Sequence, residues 1–313
     1  MDLQRLKPHL PWITLIVLVV FVGITDSNFL KPANLLELAG DIVPLFIMAL
    51  GLTFAIYIGG IDLSAQSMAN MITVVASVYL ASLGLWVAVL CVLLGFGLGL
   101  LSGFVTTRLF VPSFISTLAV GGVCFSVAQW LSGNRALNMD AEQRNALFGW
   151  MIGRTGIIPN ELFIAAGLLA LCLFIERRTT LGRALKAVGA GEMAAAASGL
   201  NVTRYKMLAF AISGALAAVA GLLFSVKLSG GAPTIANGFL LPAIVAVLVG
   251  GTPLTGGVGG VLNTAIGTLI VAVIRASMLY FGVQATQQQM VFGLVLIAAI
   301  ALTIDRSKLR TVK

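Results

Sequence analysis

Long apolar stretches, separated by short runs of charged, proline or glycine residues, follow one another along almost the whole chain. That succession leaves few folds open. About 20 mostly apolar residues carry an α-helix across the hydrocarbon core of a bilayer. Ten stretches of this kind lie at about 11–29, 42–58, 66–83, 85–106, 112–131, 161–176, 206–226, 239–251, 259–281 and 286–304. Inside lipid every backbone polar group must be paired within its own segment, and no stretch alternates polar with apolar residues as a barrel strand does. The expected fold is therefore all-α and polytopic, with about ten transmembrane helices in one domain over residues 1–313. Composition agrees: 10% of the residues are charged and 59% hydrophobic, whereas soluble domains carry about 25% charged residues.

Charge placement gives the orientation. With the N-terminus in the cytoplasm, an even number of spans returns the C-terminus to the same side. Thirteen of the 19 Lys and Arg then lie inside: Arg5, Lys7, Arg108, Arg177, Arg178, Arg183, Lys186, Arg204, Lys206, Arg306, Lys308, Arg310 and Lys313. Five lie outside (Lys31, Arg135, Arg144, Arg154, Lys227), and Arg275 falls within the ninth stretch near its outer end. The asymmetry points to N-in, C-in, and the formal net charge of +8 reports topology and contact with anionic lipid, not nucleic acid. Met1 to Pro11 is short and basic, but Trp12 to Ile24 has no small-residue cleavage site, so a retained first span is expected.

The same inventory excludes several chemistries. His9 is the only histidine, Cys91, Cys124 and Cys172 lie in apolar stretches, and no disulfide framework or His-based metal site is expected. The glycine-rich run Gly250 to Gly260 contains no lysine, so it cannot grip nucleotide phosphates as a G-x-x-x-x-G-K-[ST] loop does. No catalytic set converges. Asp26, Asp41, Asp62, Glu161 and Glu176 are read near span ends, which weakens a proton-driven carrier, since a relay normally keeps ionisable groups in mid-membrane.

Two loops stand out. The first, about 132–160, is external on this topology and carries Asn134, Asn138, Asp140, Glu142, Arg144 and Trp150; it is either a surface for an external protein or a solvated connection. The second, about 177–205, is cytoplasmic. Within it Gly191 to Ala197 reads as a short helix with Glu192 in its first turn, Gly199 closes it, and Thr203 is a candidate cap for the next helix. Such an alanine-faced helix fits a groove on another subunit, or serves as an interfacial linker.

At these residues the chain resembles permease subunits of the ribose-type ABC importers, the branch that includes xylose, arabinose, galactose and autoinducer permeases. Its most specific part is the segment Thr180 to Asn201, in which Gly182, Arg183, Gly189, Glu192, Ala194, Ala195, Ser198 and Gly199 match the family's cytoplasmic coupling segment. Three more matches follow the family's order: Gly59-Gly60-Ile61-Asp62-Leu63-Ser64, Pro112-Ser113-Phe114-Ile115-Ser116-Thr117-Leu118, and Gly250-Gly251-Thr252-Pro253-Leu254-Thr255-Gly256-Gly257. Two of them share the pattern G-G-x-x-L-[ST] after an apolar stretch, which suggests a weak internal repeat. Two departures stand beside these matches. Leu240 to Ala246 is apolar where the family commonly places two carboxylates, and Gly191 replaces an asparagine.

The resemblance implies a type II ABC-importer-like permease in a bacterial inner membrane, taking a small sugar or polyol from an external binding protein. It implies an ATP-binding cassette subunit docked on Glu192 to Gly199, a second permease copy, and no cofactor on this chain, ATP and magnesium belonging to the partner ATPase. Helix breaks at membrane depth are tolerated only where they face protein or a water-filled cavity. Gly59, Gly60, Asp62, Ser64, Gly250 and Gly251 are thus candidates for the translocation path, with the polar Asn70, Thr73, Ser116, Thr117, Gln129 and Asn263. The other reading of these residues is structural: Asp62 as a helix cap, and the glycines as sites of close helix packing. A stand-alone secondary carrier and a membrane enzyme are the competing functions.

Overall fold

A computed structural model describes residues 10–303; expectations that fall on Arg5, Lys7, His9, Arg306, Lys308, Arg310 and Lys313 lie outside them. Fourteen α-helices form among the described residues. Helix α1 (Leu10–Thr25) leads through a 3-10 turn (Ser27–Leu30) to α2 (Pro32–Asp41), which bends by 50° into α3 (Val43–Tyr57). Then come α4 (Ala65–Leu83), α5 (Trp86–Arg108), α6 (Ser113–Ser132), the short α7 (Ala141–Ile152) and α8 (Glu161–Arg178). Helices α9 (Thr180–Ala190) and α10 (Glu192–Ala197) precede α11 (Val202–Lys227), α12 (Leu240–Val249), α13 (Val261–Tyr280) and α14 (Ala285–Thr303).

Each of the ten apolar stretches contains a helix. Five of these helices, α4, α5, α6, α11 and α13, are long and apolar enough to cross a bilayer alone, and the bent pair α2–α3 reaches that length together. The stretch at 239–251 holds only the ten-residue α12, about 15 Å long and half the hydrocarbon core. The all-α expectation gains one small qualification: two pairs of two-residue strands, β1 (Leu137–Asn138) with β4 (Gly230–Gly231), and β2 (Arg154–Thr155) with β3 (Ile158–Pro159), both antiparallel.

The core forms around α11 and α3. All fifteen residues of α3 are buried, as suits a helix apolar on every side. Along α5, Gly95, Gly99 and Gly103 recur every four residues and place one bare stripe against α11. A Cβ on Gly95 would stand 2.5 Å from Ala218 Cβ, and one on Gly103 would stand 2.6 Å from Met207 Cα. This is the close packing that small residues allow where lipid removes the hydrophobic drive between helices.

The segment at 177–205 is more ordered than its sequence suggests. Gly191 to Ala197 does yield a helix, and Gly199 closes it at φ +87°. Ahead of it, however, α9 forms an amphipathic helix whose Gly182, Ala184, Leu185 and Val188 are buried. The cap of α11 is Asn201, whose Oδ1 accepts from Arg204 N at 3.0 Å. Thr203 lies already inside the first turn.

Candidate functional site: two helix breaks and a glycine junction

The first break follows α3. Gly59 turns the chain at φ +68°, and residues 60–64 then run without regular structure beside the opening turns of α6. Gly60 N still reaches Ala55 O and Ser64 O already accepts from Met68 N, while the groups between them are met by α6. Ser113 Oγ accepts from Ile61 N at 3.1 Å, and Thr117 Oγ1 accepts from Leu63 N at 3.1 Å and stands 3.3 Å from Ile61 O. Asp62 Oδ1 accepts from Ser64 N at 2.9 Å and from Ser64 Oγ at 2.5 Å, while its Oδ2 accepts from Ser213 Oγ at 2.6 Å. Asp62 is 1% exposed. Ser213 lies well along α11, roughly 17 Å from its start. Asp62 does lie between two helix ends, five residues past α3 and three before α4, but its carboxylate is buried against the middle of α11.

The second break precedes α12. Beyond Lys227 the chain returns along α4, and three residues on one face of that helix bind it. Thr73 Oγ1 accepts from Ala232 N at 3.2 Å and Asn70 Oδ1 from Ala236 N at 2.6 Å. Gln66 Oε1 accepts from Gly238 N at 3.1 Å and Leu240 N at 3.4 Å. Asn237 Oδ1 in turn receives Asn70 Nδ2 at 2.9 Å and Gln66 Nε2 at 3.3 Å, and Gln289 Nε2 of α14 donates to Gly238 O at 3.0 Å. Gln66, Asn237 and Gln289 were not among the sequence candidates. Only Gln66 carried a local signal, the spacing 66, 70, 73 with Asn70 and Thr73, the i, i+4, i+7 face of a helix. Both breaks follow one rule: backbone that leaves the helical ladder is satisfied by polar side chains on the adjacent helix.

Remaining path candidates lie elsewhere. Ser116 Oγ is 2.6 Å from Thr106 Oγ1 between α5 and α6, and Gln129 Nε2 donates to Asn134 Oδ1 at 3.2 Å at the far end of α6. Gly250 packs on the backbone of Asn263, where a Cβ would stand 2.7 Å from the carbonyl carbon; Gly251 turns at φ +100°.

At the α10 end of the bundle the two G-G-x-x-L-[ST] segments meet. Gly257 N donates to Tyr57 O at 2.9 Å, and a Cβ on Gly256 would stand 2.5 Å from Gly59 N. The C-terminus of α9 is wedged into the same place. A Cβ on Gly257 would stand 2.6 Å from Ala190 N, and one on Gly189 would overlap the Tyr57 carbonyl and the Gly257 amide. Lys186 fastens the wedge: its Nζ donates to Glu176 Oε1 at 2.5 Å and to Gly259 O at 3.0 Å, and lies 5.0 Å from the Tyr57 ring centroid. Glu176 Oε2 accepts from Val261 N at 3.0 Å, satisfying one of the amides that open α13. Thus α3, α8, α9, α13 and the glycine turn share one junction.

The coupling candidates divide by exposure. Arg183, Glu192, Ala194, Ser198 and Gly199 face outward, Gly182 and Ala195 are buried, and Gly189 sits in the junction. Glu192 pairs with Lys206 at 2.5 Å. At the opposite end of α11, the 132–160 segment grips the second break: β1 pairs with β4, Met139 N donates to Ser229 O at 2.9 Å, and Arg144 donates to Ser229 Oγ. Asp140 caps α7 by accepting from Gln143 N at 2.8 Å. No group of three or more His, Cys, Asp or Glu among the described residues is arranged to hold a metal ion.

The family model described as "Branched-chain amino acid transport system / permease component" matches residues 34–300. The ribose import permease protein of Escherichia coli (strain K12) is 32% identical over 291 residues, covering 92% of this chain and 91% of that protein. That of Bacillus subtilis (strain 168) is 31% identical over 306 residues, covering 95% and 92%. The xylose transport system permease protein of Escherichia coli (strain K12) is 29% identical over 347 residues, covering 91% and 88%. No solved structure matches the chain. The matched residues take in both breaks, the glycine junction and α9–α10, and the chain belongs to this family of transport-system permease components.

Proposed function

We propose that the chain is the membrane subunit of an ATP-driven importer for a small sugar or sugar-like polyol. The observation that carries this is the junction at Gly189. An amphipathic helix pair with no catalytic group of its own is wedged against both glycine turns, so force applied to α9–α10 reaches both. ATP and magnesium belong to a separate ATP-binding cassette subunit that seats on α10 through its outward residues Glu192, Ala194, Ser198 and Gly199, with Arg183 beside them. Gly182, Gly189 and Ala195 act from inside, by fixing α9 and α10 to the bundle.

On this reading the α10 end is cytoplasmic, as N-in, C-in topology in a bacterial plasma membrane requires, and α7 is external. A second permease copy completes the path, and an external binding protein delivers the solute to the α7 surface, which is tied to the second break through Ser229. The breaks at Gly59–Ser64 and 228–239 border the path. Polar groups there are already engaged with backbone, which suits weak contacts with a passing solute, since tight binding would oppose release. Similarity to ribose and xylose permeases makes these two sugars the first solutes to try.

A stand-alone secondary carrier is not favoured. Asp62, the deeply buried carboxylate at the first break, has both oxygens committed to Ser64 and Ser213. The test is uptake of labelled ribose and xylose in cells carrying the chain with its ATPase and binding protein. Uptake should stop when the ATPase is deleted and survive an uncoupler while ATP is maintained; the opposite pattern would establish the carrier.

A further inference from the structure

Phe110, in the turn between α5 and α6, adopts φ +56°. For a bulky side chain this left-handed conformation is a genuine outlier, costing of order 1–3 kcal/mol, and such strain persists where surrounding structure imposes it. Among the described residues nothing rewards it by burial: Phe110 is 88% exposed and Leu109 beside it 59% exposed.

The turn shares a cleft of about 290 Å³ with the coupling segment, lined by Thr106, Arg108, Phe110, Glu192, Thr203 and Lys206. Met193 on α10 is also 88% exposed. Phe110 and Met193 are therefore two exposed apolar side chains, one on each element; the Glu192–Lys206 pair and the exposed Arg108 line the cleft, and Arg204, next to its Thr203, is exposed as well. Threonine hydroxyls and an ion pair suit a protein surface better than acyl chains.

We propose that the α5–α6 turn is a second docking point for the ATP-binding subunit, with Phe110 as its anchor in an apolar pocket flanked by carboxylates. This rests on the reading that α10 seats on that subunit, and extends it to an element far away in sequence. Exposed aromatic anchors that fill a partner's pocket carry a large share of interface energy. A side chain held out by a strained turn is already positioned for that role.

The test uses the full transporter. Phe110→Gly removes the anchor and relieves the left-handed strain, so the permease should fold at least as stably as the parent, read by its thermal unfolding in detergent. Its affinity for the ATPase should fall about tenfold, with a matching loss of ATP-driven uptake. Ala196→Trp, on the outward face of α10, is the control. If Ala196→Trp releases the ATPase while Phe110→Gly binds it with parental affinity, the second docking point is overturned and the α10 reading stands. If neither variant weakens the complex, the α10 reading falls as well. A Phe110→Gly variant that binds ATPase normally but partitions less well into lipid would assign Phe110 to membrane anchoring and overturn the proposal.

Discussion

The amide of Gly257 donates to the carbonyl oxygen of Tyr57 at 2.9 Å, joining the end of α3 to a glycine turn 200 residues later in the chain. No side chain intervenes, because Gly189 from α9 occupies the remaining space. A backbone contact of this kind has no soft component that could yield, so displacement of α9 passes to both turns together.

Gly189→Ala should therefore abolish uptake and lower the yield of folded protein, by the several kcal/mol that backbone overlap costs. Gly97 on α5 offers the contrast. No atom lies within 4 Å of the position its Cβ would take, so Gly97→Ala should leave transport intact and gain up to about 1 kcal/mol of stability. Thermal unfolding of the purified variants, with uptake in cells, checks both.

The hydroxyl of Thr117 replaces a missing helical partner at the first break. Thr117→Val keeps the shape but leaves the Leu63 amide unpaired, at a cost of about 1–3 kcal/mol, whereas Thr117→Ser should stay close to parental. Asn70→Leu should cost a similar amount at the second break through Ala236 N. Amide hydrogen exchange at residues 60–64 and 228–239 would report each opening separately.

Much of this arrangement was legible in sequence, and the reasons for the rest are physical. Apolar stretches placed the helices because lipid forces backbone pairing, and Gly59, Gly199 and Gly251 were readable because left-handed turns favour glycine. The depth of Asp62 was not readable. Hydropathy records which residues follow one another, and it is silent on a non-helical segment that packs into the bundle before its helix begins. Gln66 and Gln289 were missed for the same reason, since their partners lie about 170 and 50 residues away. Ala195 looked like its alanine neighbours, yet it is the one that the fold buries.

Lys186 and Glu176 form a pair in which the carboxylate side chain is 6% exposed and the ammonium side 31%. Lys186→Met leaves Glu176 largely buried with Val261 N, while the Glu176→Gln, Lys186→Met double variant removes the stranded charge. A double-mutant cycle on thermal stability should give a coupling of about 1–3 kcal/mol, reduced from a fully buried pair by the partial exposure of Lys186. Lys186→Met should also separate ATP hydrolysis from uptake, with turnover kept and transport lost. Equal loss of both would assign the pair to stability alone.

Arg144 reaches from α7 to Ser229, at the start of the second break. Arg144→Ala should leave basal ATP hydrolysis unchanged and reduce its stimulation by solute-loaded binding protein several-fold, measured in proteoliposomes. Full stimulation in the variant would detach α7 from signalling.

The central claim is that α9–α10 faces the cytoplasm and carries the ATPase. A single reactive cysteine at Met193, which is 88% exposed, tests it most directly, because Cys91, Cys124 and Cys172 are buried. In sealed vesicles of each orientation, a membrane-impermeant maleimide should label Met193→Cys from the cytoplasmic side alone, and bound ATPase should protect it. Labelling from the outside, or cytoplasmic labelling that the ATPase leaves unchanged, would contradict the account.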